Sequence, residues 1–163
     1  SNWDSFPQRP KNYWLFENRR TDKIAFIPWD MDGTFQTWVD DYNQMGPTCS
    51  IFYNLKQSDY RPIHSQEGTS RPLAYKLLNL SELERKYLLR YKELQESILS
   101  HEFLQTRLNR LDQIMRPYLT DRETPGWMST STEREDYENA LEDMKDFISE
   151  RDRSVSEQLR NSF

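Results

Sequence analysis

A chain of 163 residues, 35% hydrophobic and 30% charged, is long enough for one compact domain with its own core, and no stretch approaches the roughly 20 apolar residues that a membrane-crossing helix needs. The formal net charge of -5, from 27 acidic against 22 basic residues, argues against a nucleic-acid partner. The single cysteine, Cys49, excludes an internal disulfide and a cysteine-based zinc site, and the two histidines, His64 and His101, are far apart and share no ligand spacing.

The first residues, SNWDSF, carry neither a basic region nor an apolar core, so no signal peptide is expected in them. Two runs rich in aromatic and branched residues follow, NYWLFEN (12–18) and KIAFIPW (23–29), separated by RRTD. They predict a β-hairpin with Asp30 just past its second strand. Pro28 cannot donate to a ladder, so the second strand ends there or lies at an edge. Alternation turns at least one face of such a hairpin inward, which places Trp14, Trp29 and Trp38 in the core. Residues 33–70 contain Gly33, Gly46, Pro47, Pro62 and Gly68 with little periodicity. They read as long loops with one short helix or strand near SIFYNL.

Helical signals begin at Ser70. Ser70 and Arg71 before Pro72 give a cap with proline in the first turn, and Leu73, Leu77 and Leu80 share a face. Ser81 and Glu84 form a capping-box pair for a second helix, whose Leu83, Tyr87, Tyr91, Leu94 and Ile98 predict a buried stripe. A third helix carries Leu104, Leu108, Leu111 and Met115 and stops at Pro117. Thr132 and Glu135 repeat the capping box, and Tyr137, Leu141, Met144, Ile148, Val155 and Leu159 line one side of a long last helix. The charges of ERDR (150–153) read as a solvated face that could hold an ion pair.

The chemistry-bearing stretch is AFIPWDMDGTF, 25–35, which brings Asp30 and Asp32 to the end of an apolar run beside Gly33. One reading makes them turn residues only. A second notes that DMDGTF resembles the first motif of haloacid-dehalogenase-like phosphatases, in which the leading Asp attacks phosphorus. That mechanism needs a doubly wound parallel sheet, and the chain after residue 70 offers amphipathic helices instead. A third uses more residues. Asp4, Asn12, a hairpin and then Asp30 follow the order seen in protein kinases, in which a catalytic-loop Asp precedes a metal-binding Asn and the Asp that holds magnesium. A stiff hairpin with Asn at its start and Asp beyond its end can hold an oxygen-seeking cation between them. Asn12 could equally satisfy backbone groups at a strand start. The gap from Asp4 to Asn12 is longer than in ordinary kinases, and no HRD or DFG tripeptide occurs.

Several blocks in one order carry a more specific resemblance. NYWLFENRRTDKIAFIPWDMDGTF (12–35), the helical stretch from PLAYKLL to PYLTDR (72–122) and FISERDRSVSEQL (147–159) resemble the C-terminal half of the CotH family, the spore-coat protein H kinases. The resemblance implies an atypical kinase-like fold that binds ATP with Mg or Mn and phosphorylates serine in protein partners, at a spore coat or cell surface. On that basis Asp4 would be the catalytic Asp, Asn12 and Asp30 metal ligands, and Asp32 either part of the metal shell or a contact that holds the loop. Where the family usually has a glycine after this block, the chain has Gln36. The lysine that a kinase N-lobe aims at the α- and β-phosphates has no candidate before Asp4, so weak or absent transfer is expected of this chain by itself. The expected fold class is α+β, mainly α: a kinase-like C-lobe in one domain over 1–163, with a catalytic and metal-binding hairpin in 1–40, loops in 41–69 and about four helices in 70–163. The alternative from another class is a structural or adhesive module that uses the same shell without transferring phosphate.

Overall fold

The computed structural model describes residues 12–31, 34–35, 38–39, 44–52, 55, 72–123 and 131–163. Within them the expected α+β, mainly helical, class holds: two short antiparallel ribbons precede four α-helices. Strand β1 (Tyr13–Asn18) pairs with β2 (Lys23–Pro28) from Tyr13 opposite Pro28 to Asn18 opposite Lys23. The strand ends at Pro28, as its missing N–H dictates. Asn18 shapes the turn, its carbonyl accepting from Thr21 N–H at 3.1 Å and its Oδ1 from Arg20 N–H at 3.1 Å, the local bonding that suits Asn to such positions. A second ribbon, not anticipated from sequence, pairs β3 (Trp38–Val39) with β4 (Gln44–Met45). Of the stretch SIFYNL, Ile51, Phe52 and Leu55 lie in turns, with Leu55 N–H donating to Phe52 O at 2.9 Å, and Tyr53 and Asn54 lie outside the described residues.

The hairpin is not a core element. Tyr13, Leu15, Ile24 and Phe26 fall on one face and Trp14, Phe16 and Ile27 on the other, yet Trp14 is 67% and Ile24 72% exposed. Trp29 is likewise largely exposed, which corrects the placement of Trp14 and Trp29 in the core. The physical reason is the layering. Among the described elements the ribbon packs on no helix, so neither apolar face gains a second layer. Tyr13 and Phe26 stack on each other instead, centroids 4.9 Å apart.

The helical part is organised around α4 (Glu133–Arg160), with α1 (Pro72–Leu78), α2 (Ser81–Gln95) and α3 (His101–Met115) before it. At 28 residues α4 spans about 42 Å at the usual rise, and it serves two cores. Its Leu141 and Ile148 meet Leu108 of α3, with Leu104, Tyr137 and Met144 packed around them. Val155, 1% exposed, and Leu159 meet Leu88 of α2 and Ile51. The last-helix stripe read from sequence is therefore correct. Its start is also as expected: Thr132 Oγ1 accepts from Glu135 N–H at 3.3 Å, and the Glu135 carboxylate accepts from Thr132 N–H at 2.9 Å.

Three helical expectations need correction. Leu80, not Ser81, occupies the position before α2, in extended conformation and without a side-chain cap. The α1–α2 link is only Asn79 and Leu80, and closing α1 commits Leu80 N–H to Leu77 O at 3.2 Å while Leu80 O already accepts from Leu83 and Glu84. The fully buried residues of α2 are Leu88 and Gln95; of the predicted stripe, Tyr87 and Tyr91 pack half-buried against the core, Leu83 and Leu94 are half-buried, and Ile98 lies exposed beyond the helix. On α3, Leu108 is buried while Leu111 and Met115 are exposed, because the packed cluster is centred at Leu108. The third helix ends at Met115, and Pro117 sits in a single 3-10 turn, Arg116–Tyr118. The proposed caps Ser70 and Arg71, together with His64, Asp4, Asp32 and Gln36, lie outside the described residues.

Candidate metal and phosphate site

Two of the four candidate residues are described, and the hairpin brings them to its open end. Asn12 immediately precedes β1, and its carbonyl accepts from Trp29 N–H at 3.1 Å, so Asp30 follows directly on the residue bonded across to Asn12. Both have left-handed backbone, φ 60° at Asn12 and 57° at Asp30, a region that Asn and Asp visit more readily than other non-glycine residues. Asn12 is only 6% exposed, whereas Asp30 is open to solvent. An amide oxygen and a carboxylate are the hard donors that magnesium and manganese prefer. By donor type the pair fits such a cation. Among the described residues no three His, Cys, Asp or Glu side chains converge on one point.

The chain returns from Asp30 to the helices within five residues. Thr34 N–H donates to Met31 O at 3.1 Å, making a turn, and the Thr34 hydroxyl oxygen is buried with no hydrogen-bond partner. Phe35 then enters the cluster of Leu108, Leu141 and Ile148, its ring edge-on to that of Phe147 at 5.8 Å. Neither residue was singled out from sequence. A threonine and a phenylalanine after DMDG have no local signal that separates core from loop.

A second group of contacts straps the segment 46–52 to the helices. Arg151 of α4 donates through Nη1 to the carbonyls of Pro47, at 3.1 Å, and Cys49, and through Nη2 to Tyr91 Oη at 3.0 Å. Gln158 accepts from Ile51 N–H at 2.8 Å and donates to Cys49 O at 3.3 Å. Tyr87 Oη donates to Ile51 O at 2.6 Å. Burial pushes the Tyr87 phenol well above its ordinary pKa, reinforced by Tyr91 and opposed by Arg151. Burial also raises the Cys49 thiol, with Arg151 opposing, which disfavours the thiolate.

The ERDR charges separate by function rather than pairing with each other. Arg151 serves loop carbonyls, while Asp152 accepts from Gln95 Nε2 at 2.6 Å and from His101 N–H at 3.1 Å. A carboxylate at the first residue of α3 suits the positive end of a helix. His101 contacts Ser149 Oγ at 3.1 Å, in keeping with a structural role.

A family model described as CotH kinase protein matches residues 1–155. The chain belongs to the CotH family. No curated protein and no solved structure matches it. The matched span of the CotH model covers the hairpin, the Asp30 turn, the Arg151 strap and most of α4. The parallel doubly wound sheet that a phosphatase of the haloacid-dehalogenase type requires does not occur among the described residues, whose strands pair only antiparallel. No helix among them is long and apolar enough to cross a membrane.

Proposed function

We propose that this CotH protein, in its full-length form, transfers the γ-phosphoryl group of ATP to serine hydroxyls of a protein substrate, using magnesium or manganese. The observation that carries this reading is the cross-strand bond from Trp29 N–H to Asn12 O, which keeps Asn12 and Asp30 together at the mouth of the hairpin. In the proposal, Asn12, Asp30 and Asp32 hold the cation and Asp4 accepts or orients the proton of the attacking hydroxyl. The bound cation would neutralise charge on the phosphates during in-line transfer. The protein's own task is placement: phosphoryl transfer needs positioned groups and fixed charge more than covalent chemistry.

A second reading takes the same shell as an interaction module without catalysis. The exposed apolar residues of both hairpin faces, Trp14, Leu15, Phe16 and Ile24 among them, favour it, since a contiguous apolar surface marks a contact region. Thermal unfolding with and without manganese and ATP separates the two, because a ligand stabilises only the state that binds it. The kinase reading expects the melting temperature to rise with manganese and ATP together and to return to baseline with chelator. No shift at saturating ligand would favour the interaction module.

A further inference from the structure

Phe35 combines two properties that ordinarily exclude each other. Its backbone is left-handed, φ 62°, which for a bulky side chain is an outlier that persists only where the surroundings over-determine it. Its ring, half-buried, is at the same time packed against the α3–α4 core of Leu108, Leu141 and Ile148 and lies edge-on to Phe147. Five and four residues upstream, Asp30 and Met31 are exposed, and the hairpin before them packs on no described helix. The Thr34 N–H to Met31 O turn lies between. Among the described residues, Phe35 is where the chain beyond Asp30 first meets the helical core.

We infer that Phe35 is a positioning residue: its ring, held in the α3–α4 core, fixes the turn that carries Asp30 and so sets the affinity of the site for a divalent cation. The inference rests on the phosphotransfer reading for the cation and on the packing geometry for the anchor. Loss of the ring removes the packing that holds Phe35 in the left-handed region. The turn then samples other conformers, and cation binding bears the cost of selecting one of them.

The test uses the full-length protein as wild type, Phe35→Ala, Phe35→Leu and Leu159→Ala. Manganese affinity is read from the paramagnetic resonance of the free ion, and exchange of the Thr34 amide is read without metal. Leu159→Ala is the control, since it opens the other core, that of Val155, Leu88 and Ile51, and leaves the residues around Phe35 in place. Phe35→Ala should weaken manganese binding about tenfold or more, the usual scale for a residue that orients a ligand, and should speed Thr34 exchange. Phe35→Leu should recover most of both, and Leu159→Ala should lower the melting temperature while leaving both near wild type. Equal losses in Leu159→Ala and Phe35→Ala, or no loss in Phe35→Ala, would overturn the inference. Should wild type bind no manganese, the phosphotransfer reading falls, and Thr34 exchange still decides the anchor: faster only in the Phe35 variants supports it, unchanged overturns it.

Discussion

Asn12 accepts a hydrogen bond from Trp29 N–H at 3.1 Å, and this bond extends the hairpin's pairing one residue past the last β1–β2 partners, Tyr13 and Pro28. Two residues with left-handed backbone, Asn12 and Asp30, are thereby fixed at the open end of a ribbon whose large apolar side chains are mostly exposed. The candidate site is thus built on local hairpin geometry, while its attachment to the helices comes from the residues that follow it.

The strap on 46–52 makes Arg151 a stability residue. Arg151→Ala removes the donor to the Pro47 carbonyl and the Tyr91 hydroxyl and leaves the Cys49 carbonyl with Gln158 alone, which costs about 2–3 kcal/mol and lowers the melting temperature by about 4–12 °C in a chain of this size. Arg151→Lys should recover less than half of that, because an ammonium cannot reproduce a planar fork of donors. Calorimetry of both variants checks it, and a lysine variant as stable as wild type would contradict the fork.

Tyr87 supplies a pH signature. Its pKa is raised in the folded state, chiefly by burial, so the neutral phenol is the form that folding favours. Its contribution is full below the unfolded value of about 10 and is lost as pH rises from there toward the higher folded value. Tyr87→Phe should be less stable than wild type by about 1 kcal/mol near pH 8, and the gap should narrow above about pH 10. Denaturant titrations at pH 8 and pH 11 measure it; a gap that widened at pH 11 would refute the assignment.

The two capping-box patterns make a matched pair. Thr132→Ala removes a reciprocal cap and should cost about 1 kcal/mol, or about 2–4 °C. Ser81→Ala should change stability by no more than about 0.5 kcal/mol, since Leu80 holds the position before α2 and no side chain caps it. Thermal melts of the two variants side by side decide whether the caps are assigned correctly.

Thr34→Val replaces a buried hydroxyl that has no partner with a methyl of similar shape. Nothing loses a hydrogen bond, so stability should be unchanged or slightly raised. A marked fall in the melting temperature of the free protein would show that the hydroxyl is satisfied in solution.

What was legible in the sequence follows from which forces are local. The stripe of Tyr137, Leu141, Met144, Ile148, Val155 and Leu159, the Thr132–Glu135 box and the end of β2 at Pro28 are each dictated within a few residues along the chain, and each is found. Ser81 carried the same local pattern as Thr132 but lost the cap position to Leu80, because a two-residue link left the helices no room for another start. Arg151 and Phe35 could not be read, since their partners lie 60 to 104 residues away for Arg151 and on α4 for Phe35. Trp14 and Trp29 were misplaced because alternation shows which side chains share a face, not whether anything covers that face. Of the site, the order of Asn12, hairpin and Asp30 was legible, and its left-handed backbone was not.

The central claim is tested most directly by phosphate incorporation from labelled ATP into serine-containing protein by the full-length protein, with manganese or magnesium, comparing wild type with Asp30→Asn. Asparagine keeps the size of the side chain and tolerates left-handed backbone at this position, so the fold is retained while the charge is removed. The account predicts metal-dependent incorporation by wild type and a loss of about a hundredfold or more in the variant with an unchanged melting profile. Equal incorporation by both, or none by a folded wild type, would contradict it.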